Sequence, residues 1–175
     1  MRFSKLFLLL VLLCAITNAG IAGNSDLNIT CVAKKAEDGA IQGDKLPGGV
    51  SSKTEKWNYT VTLENKSLSA MSGLEVKYVI FYRQEQIASK SSARLQRTTG
   101  SSNVKMINPQ GKESFATSLV ELKKEVLNGS YYFTNGGKTK ADDSVAGIWI
   151  RVFQNGNLFA EFIKPPSLAN KEKFE

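Results

Sequence analysis

The chain has 175 residues, 42% of them hydrophobic and 22% charged, which is enough for one core-bearing domain and little more. Its 23 Lys and Arg residues outnumber 16 Asp and Glu, for a formal charge of +7, and it contains two cysteines and no histidine. The missing histidine excludes Ser-His-Asp and Cys-His catalysis, together with histidine-ligated zinc, copper and haem.

Residues 1–19 read as a secretory signal peptide. Arg2 and Lys5 precede an uncharged apolar run from Leu6 to Ile16, and Thr17-Asn18-Ala19 suits cleavage after Ala19. The run is about eleven residues, short of the roughly 20 that a membrane-spanning helix needs. Leu13 precedes Cys14 where a lipidation signal needs a small residue, so an exported, periplasmic or extracellular protein is expected. Cleavage removes Arg2 and Lys5, taking the 23 basic residues to 21 against 16 acidic ones, a charge of +5. It also removes Cys14, so Cys31 has no intramolecular disulfide partner and reads as a small buried hydrophobe on a face with Leu27, Ile29 and Ala33.

The rest of the chain alternates with period 2. A first strand is expected over 26–36, followed by a Gly-rich loop over 37–54. Trp57, Tyr59, Val61 and Leu63 alternate with polar residues in a strand over 56–64. In 74–84, Leu74, Val76, Tyr78, Ile80 and Tyr82 share one face, and Val79 and Phe81 make the other half apolar, as in a central strand covered on both sides. Residues 86–98 read as a polar edge strand, 99–103 as a turn, 104–107 as a brief strand and 113–123 as a further strand. Ile148–Gln154 and Asn157–Ile163 flank Asn155-Gly156, the signature of a type I′ hairpin. Pro165-Pro166 ends the second of these strands.

About seven to nine strands without long helices predict an all-β protein, a Greek-key β-sandwich over 24–166 with a charged tail over 167–175 that holds at most one helical turn, opened by Ser167. Leu63-Glu64-Asn65-Lys66-Ser67 and Leu74-Glu75-Val76-Lys77-Tyr78 look like the second and third strands of immunoglobulin-like modules in exported bacterial proteins. Gly147 to Phe153, with Asn155-Gly156 and Pro165-Pro166-Ser167-Leu168, resembles the closing hairpin of small secreted bacterial immunoglobulin-like proteins of unassigned function. The resemblance implies an immunoglobulin-like sandwich and a place in the cell envelope. It supplies no functional motif, and the inter-sheet disulfide of antibody domains is absent.

Catalytic and metal-binding patterns are weak. Asp142-Asp143 lacks the oxygen ligands of a calcium site and reads as a solvated turn. Glu113, Glu121 and Glu125 are scattered strand acids rather than a glycosidase pair. No cofactor is expected. The sequons at Asn28, Asn58, Asn65 and Asn128 read as chance occurrences given the bacterial resemblance.

Two surfaces are candidates for binding. With Phe153 opposite Leu158 and Trp149 opposite Phe162, the residues Trp149, Arg151, Phe153 and Phe162 would share an outer face with Val79 and Phe81. Such an apolar strip takes a partner, or the chain covers it with 37–54 or 88–112. The second surface is basic. Lys77, Arg83, Lys90, Arg94, Arg97, Lys105 and Lys112 face only Glu85 within 77–112, a local charge of +6. This patch, centred on Arg83, Lys90, Arg94, Arg97 and Lys105, either attracts an acidic protein, anionic glycan or lipid headgroups, or protects an edge strand from aggregation. The expectation is a non-catalytic binding or structural protein that contacts another envelope protein or itself. A carbohydrate- or lipid-binding module using the Trp149 face or the Tyr131-Tyr132-Phe133 loop is the alternative. Nucleic acid is not an expected partner of an exported chain without a nucleic-acid motif.

Overall fold

The computed structural model describes residues 26–174, and the expected signal segment lies outside them. Two antiparallel sheets pack as a β-sandwich. The first contains β1 (Leu27–Asp38), β2 (Gln42–Gly43), β3 (Val50–Asn65), β6 (Lys112–Ala116), β7 (Val120–Leu127) and β8 (Lys140–Asp142). Its order is β1-β3-β7-β8, with β2 and β6 also paired to β3. The second sheet contains β4 (Met71–Gln84), β5 (Arg94–Ile107), β9 (Ser144–Gln154) and β10 (Asn157–Lys164), in the order β10-β9-β4-β5. Among the described residues no helix is long and apolar enough to cross a membrane.

The period-2 faces form the core between the sheets. Leu27, Ile29, Cys31, Tyr59, Val61 and Leu63 of the first sheet meet Leu74, Val76, Tyr78, Ile80, Ile148, Ile150 and Val152 of the second. Cys31 is buried, and burial pushes its thiol up to about 11. Asn155 and Gly156 both have positive φ, 51° and 78°, as the expected hairpin turn requires.

Several expected boundaries are corrected. Residues 50–54 are strand rather than loop, because Val50–Trp57 pairs along its length with Leu127–Val120. Residues 94–107 form one strand with no turn at 99–103, since the ladder to β4 runs on through Ser101–Lys77, Gly100–Tyr78 and Thr99–Val79. Gly100 is required there: a Cβ would lie 2.4 Å from the Tyr78 ring. Residues 113–123 break into β6 and β7 at Thr117, whose N–H donates to the Tyr59 carbonyl while its Oγ1 accepts from the Tyr59 N–H at 2.9 Å. The break shifts the strand's phase, so Phe115 and Val120, of opposite parity, both pack on the core. The tail does hold one helical turn, the 3-10 turn Pro166–Asn170, and beyond that expectation Leu168 and Phe174 are buried.

Buried polar groups fix the two ends of the sandwich. Asn65 is fully buried. Its Nδ2 donates to the carbonyls of Ser69 (2.7 Å), Asn108 (3.1 Å) and Ile107 (3.3 Å), and its Oδ1 accepts from the Ser67 N–H and Oγ. One side chain therefore ties the β3–β4 turn to the end of β5, and this sequon asparagine is a structural residue. At the other end, Glu55 on β3 is only 2% exposed. It receives Lys35 of β1 at 2.9 Å, Lys124 of β7 at 3.1 Å and the Trp57 indole N–H at 3.1 Å. The Lys35 bond, helped by those of Trp57 and Lys124, holds the Glu55 carboxyl at about 2 against the burial that would raise it.

Candidate functional site

The aromatic strip does not form an open platform. Ladder pairing slips by one residue between Leu158 and Ala160, so Ala160 pairs with Val152, Phe162 with Ile150 and Ile163 with Trp149. A one-residue bulge moves every later side chain to the other face. Phe162 therefore packs on the main core rather than beside Trp149, while Ile163 takes its place outside. Val79 and Phe81 are each 1% exposed and Trp149 is 7% exposed. They form a second cluster with Ile163, Leu168 and Phe174.

The chain covers the strip with its own C-terminal segment, not with 37–54 or 88–112. Phe174 meets Trp149 edge-to-face, with ring centroids 5.7 Å apart, and the Arg151 guanidinium lies 4.4 Å from the Phe174 centroid and 5.3 Å from that of Trp149. Glu161 Oε1 accepts from both Arg151 Nε (2.6 Å) and Trp149 Nε1 (2.9 Å). Gly147 makes the close approach possible, because a Cβ there would lie 2.2 Å from the Lys164 carbonyl oxygen and 2.6 Å from Leu168 Cδ1. Phe153 remains half-buried at the margin, with Lys77 Nζ 5.1 Å from its ring centroid.

The basic residues cluster along β5 and its approach. Arg94, Arg97 and Lys105 are on β5, Arg83 closes β4, Lys90 lies in the β4–β5 connection, and all five are exposed. None of the five has an ion-pair partner among the described residues. Most lysines of the first sheet and of the turn after β3 are different: Lys35, Lys53, Lys56, Lys66, Lys112, Lys123, Lys124 and Lys140 each meet a carboxylate, and Lys34 on β1 is the exception among them. Glu85, the one acid within the basic segment, is held by Lys138 at 2.8 Å. Lys138, and the Asp142 N–H after it, lower its carboxyl below the usual range. Its charge is thus already matched outside β5.

Two clefts lie along this side of the sandwich. The larger, about 660 Å³, has Arg94 and Gln96 of β5 and the β4–β5 connection on one bank and Glu121, Lys123 and Glu125 of β7 on the other. The smaller, about 260 Å³, lies between Ser102–Met106 of β5 and Glu113–Phe115 of β6. The Tyr78 hydroxyl, 3.0 Å from Ser118 Oγ and accepting from the Ser118 N–H at 2.9 Å, bridges the sheets where β6 and β7 meet. The three glutamates considered for glycosidase chemistry are thus divided between two clefts. Asp142 and Asp143 also have separate roles: Asp142 pairs with Lys140, while buried Asp143 accepts from the Glu85 and Lys123 N–H groups. Among the described residues no group of three or more Cys, Asp or Glu side chains is arranged to hold a metal ion.

The sequence places the cations but splits the strand that aligns them, because Thr99-Gly100-Ser101-Ser102-Asn103 reads as a turn between an edge strand over 86–98 and a brief one over 104–107. Sequence reasoning missed Glu55 and the Phe174 clasp altogether. The alternation of Lys53, Glu55, Trp57 and Tyr59 on one face was the available signal for Glu55.

No family model matches the chain, and no curated protein matches it. Among solved structures, a crystal structure from Akkermansia muciniphila is similar at 12% identity and a TM-score of 0.29, covering 85% of this chain and 77% of that one. An X-ray structure of a structural-genomics target is similar at 8% identity and a TM-score of 0.30, covering 86% of this chain and 96% of that one.

Proposed function

We propose that this is an exported, non-catalytic binding protein of the bacterial envelope, an immunoglobulin-like Greek-key sandwich acting through protein–protein contacts. The topological part is supported by the strand orders β1-β3-β7 and β10-β9-β4-β5 and by the passage of the chain between sheets after β3, β5 and β8. One observation carries the functional part: five exposed, unpaired cations gathered on β5 and its approach, in a protein whose other lysines are mostly matched to acids. Unmatched charge on one side raises association rates with, and selects, a partner of opposite sign.

The test is capture from a native envelope fraction by the full chain and by its Arg94→Glu/Arg97→Glu variant. The reading expects a discrete protein retained by the wild type and lost from the variant. Equal retention by both, or retention of glycan or lipid alone, overturns it. Carbohydrate binding has one observation in its favour: Tyr131 and Tyr132 are 56% and 81% exposed, ready to stack on a sugar ring. Glycan binding abolished by Tyr132→Ala and unaffected by the β5 reversals would select that reading.

A further inference from the structure

We propose that β5 receives an extended acidic segment of a partner protein as an added strand. The proposal rests on the protein-binding reading above and specifies its mode.

A sheet edge presents unpaired N–H and C=O groups, and folded proteins blunt such edges with bulges, short strands, proline or charge. The free edges of this sandwich differ in that respect. β1 has a register shift between Lys35 and Glu37, and β10 has one between Leu158 and Ala160. β6 has five residues and β8 has three. β5 has 14 residues, no proline and an unshifted ladder to β4, and it pairs with no other strand among the described residues. It is the longest uninterrupted template for strand addition, and only charge protects it.

That charge also selects the occupant. A second copy of the chain would bring Arg94, Arg97 and Lys105 against the same cations, and like charges on paired strands repel. An acidic strand meets them favourably. The pairing of β5 with β4 gives the preferred pattern: Arg97 lies on the side of Phe81 and Thr99 on the side of Val79, whereas Arg94 and Gln96 line the cleft opposite Glu121 and Glu125. Acidic side chains are therefore favoured at alternate positions, on the Arg97 face, with uncharged residues toward the cleft that holds the two glutamates. Main-chain bonding to a sheet edge, with alternate side chains giving specificity, is an established form of peptide recognition.

The experiment titrates the full chain with a synthetic peptide of about ten residues alternating Glu and Thr. A second peptide has the same sequence but alternate backbone nitrogens methylated, which keeps the charge and removes the donors a strand needs. Binding is read by fluorescence anisotropy and amide hydrogen exchange. The proposal expects new protection within residues 94–107, loss of binding on methylation, and about tenfold weaker affinity in Arg97→Glu/Lys105→Glu. Equal binding of the methylated peptide, protection elsewhere, or no binding overturns it. If the envelope capture still depends on Arg94 and Arg97 while the peptide fails, strand addition is wrong and the protein-binding reading survives. If the capture also fails, both are wrong.

Discussion

Replacing Leu168 and Phe174 with alanine should open the C-terminal clasp and expose Trp149 without unfolding the sandwich. Both side chains are buried against Trp149, Val79, Phe81 and Ile163, a cluster separate from the main core. Burial of each contributes about 1.5–3 kcal/mol, so the double variant weakens closure by about 3–6 kcal/mol. The edge-to-face contact of Phe174 with Trp149 and the stacking of Arg151 on Phe174 are lost as well. A terminal segment that loses this much detaches locally, because the sheets beneath have their own core. The assay is tryptophan emission in a Trp57→Phe background, where Trp149 is the only indole in the chain. The expected result is a red shift and increased acrylamide quenching, with near-unchanged far-ultraviolet dichroism. Unshifted emission would refute the covering role of the tail.

Three other outcomes follow from the same contacts. Asn65→Ala should destabilise the fold by about 2–4 kcal/mol in urea unfolding, because it leaves several turn carbonyls and the Ser67 N–H without their partner. Glu55 has a folded-state value of about 2 against an ordinary 4.5, so its ion pairs stabilise the protein fully above pH 4.5 and are lost as pH falls toward 2. The wild type should therefore lose about 2–3 kcal/mol relative to Glu55→Gln over that window, as measured by denaturant unfolding at each pH. Cys31, buried and with its thiol raised to about 11, should resist a thiol reagent in the native state and react fully only after unfolding, as read by labelling with and without urea.

The sheets were legible where one face is buried. Trp57 to Leu63 alternates cleanly because one set of side chains enters the core, and Leu74 to Tyr82 reads as a central strand because Val79 and Phe81 are buried on its other face as well. The sequence was misleading where pairing, rather than burial, holds the strand. Val50 to Thr54 and Thr99 to Asn103 have few apolar residues, yet ladders to β7 and β4 keep them extended. Bulges were also invisible: a single extra residue near Phe159 sent Phe162 to the core and Ile163 to the clasp, reversing the assignment of that half-strand. The covering of Trp149 could not be read locally, because Leu168 and Phe174 are isolated apolar residues in a charged tail. The cations of the candidate site were legible from composition alone, whereas their lack of acidic partners emerges only in the fold, where Glu85 is held by Lys138 and Glu125 by Lys123 and neither Glu113 nor Glu121 reaches a β5 cation.

Partner binding along β5 is tested most sharply by amide hydrogen exchange of the full chain, free and saturated with the envelope protein it retains. The expected result is new protection concentrated in residues 94–107, fading as salt is raised. New protection confined to the 131–133 loop or to the 166–174 clasp, with β5 unchanged, would contradict it.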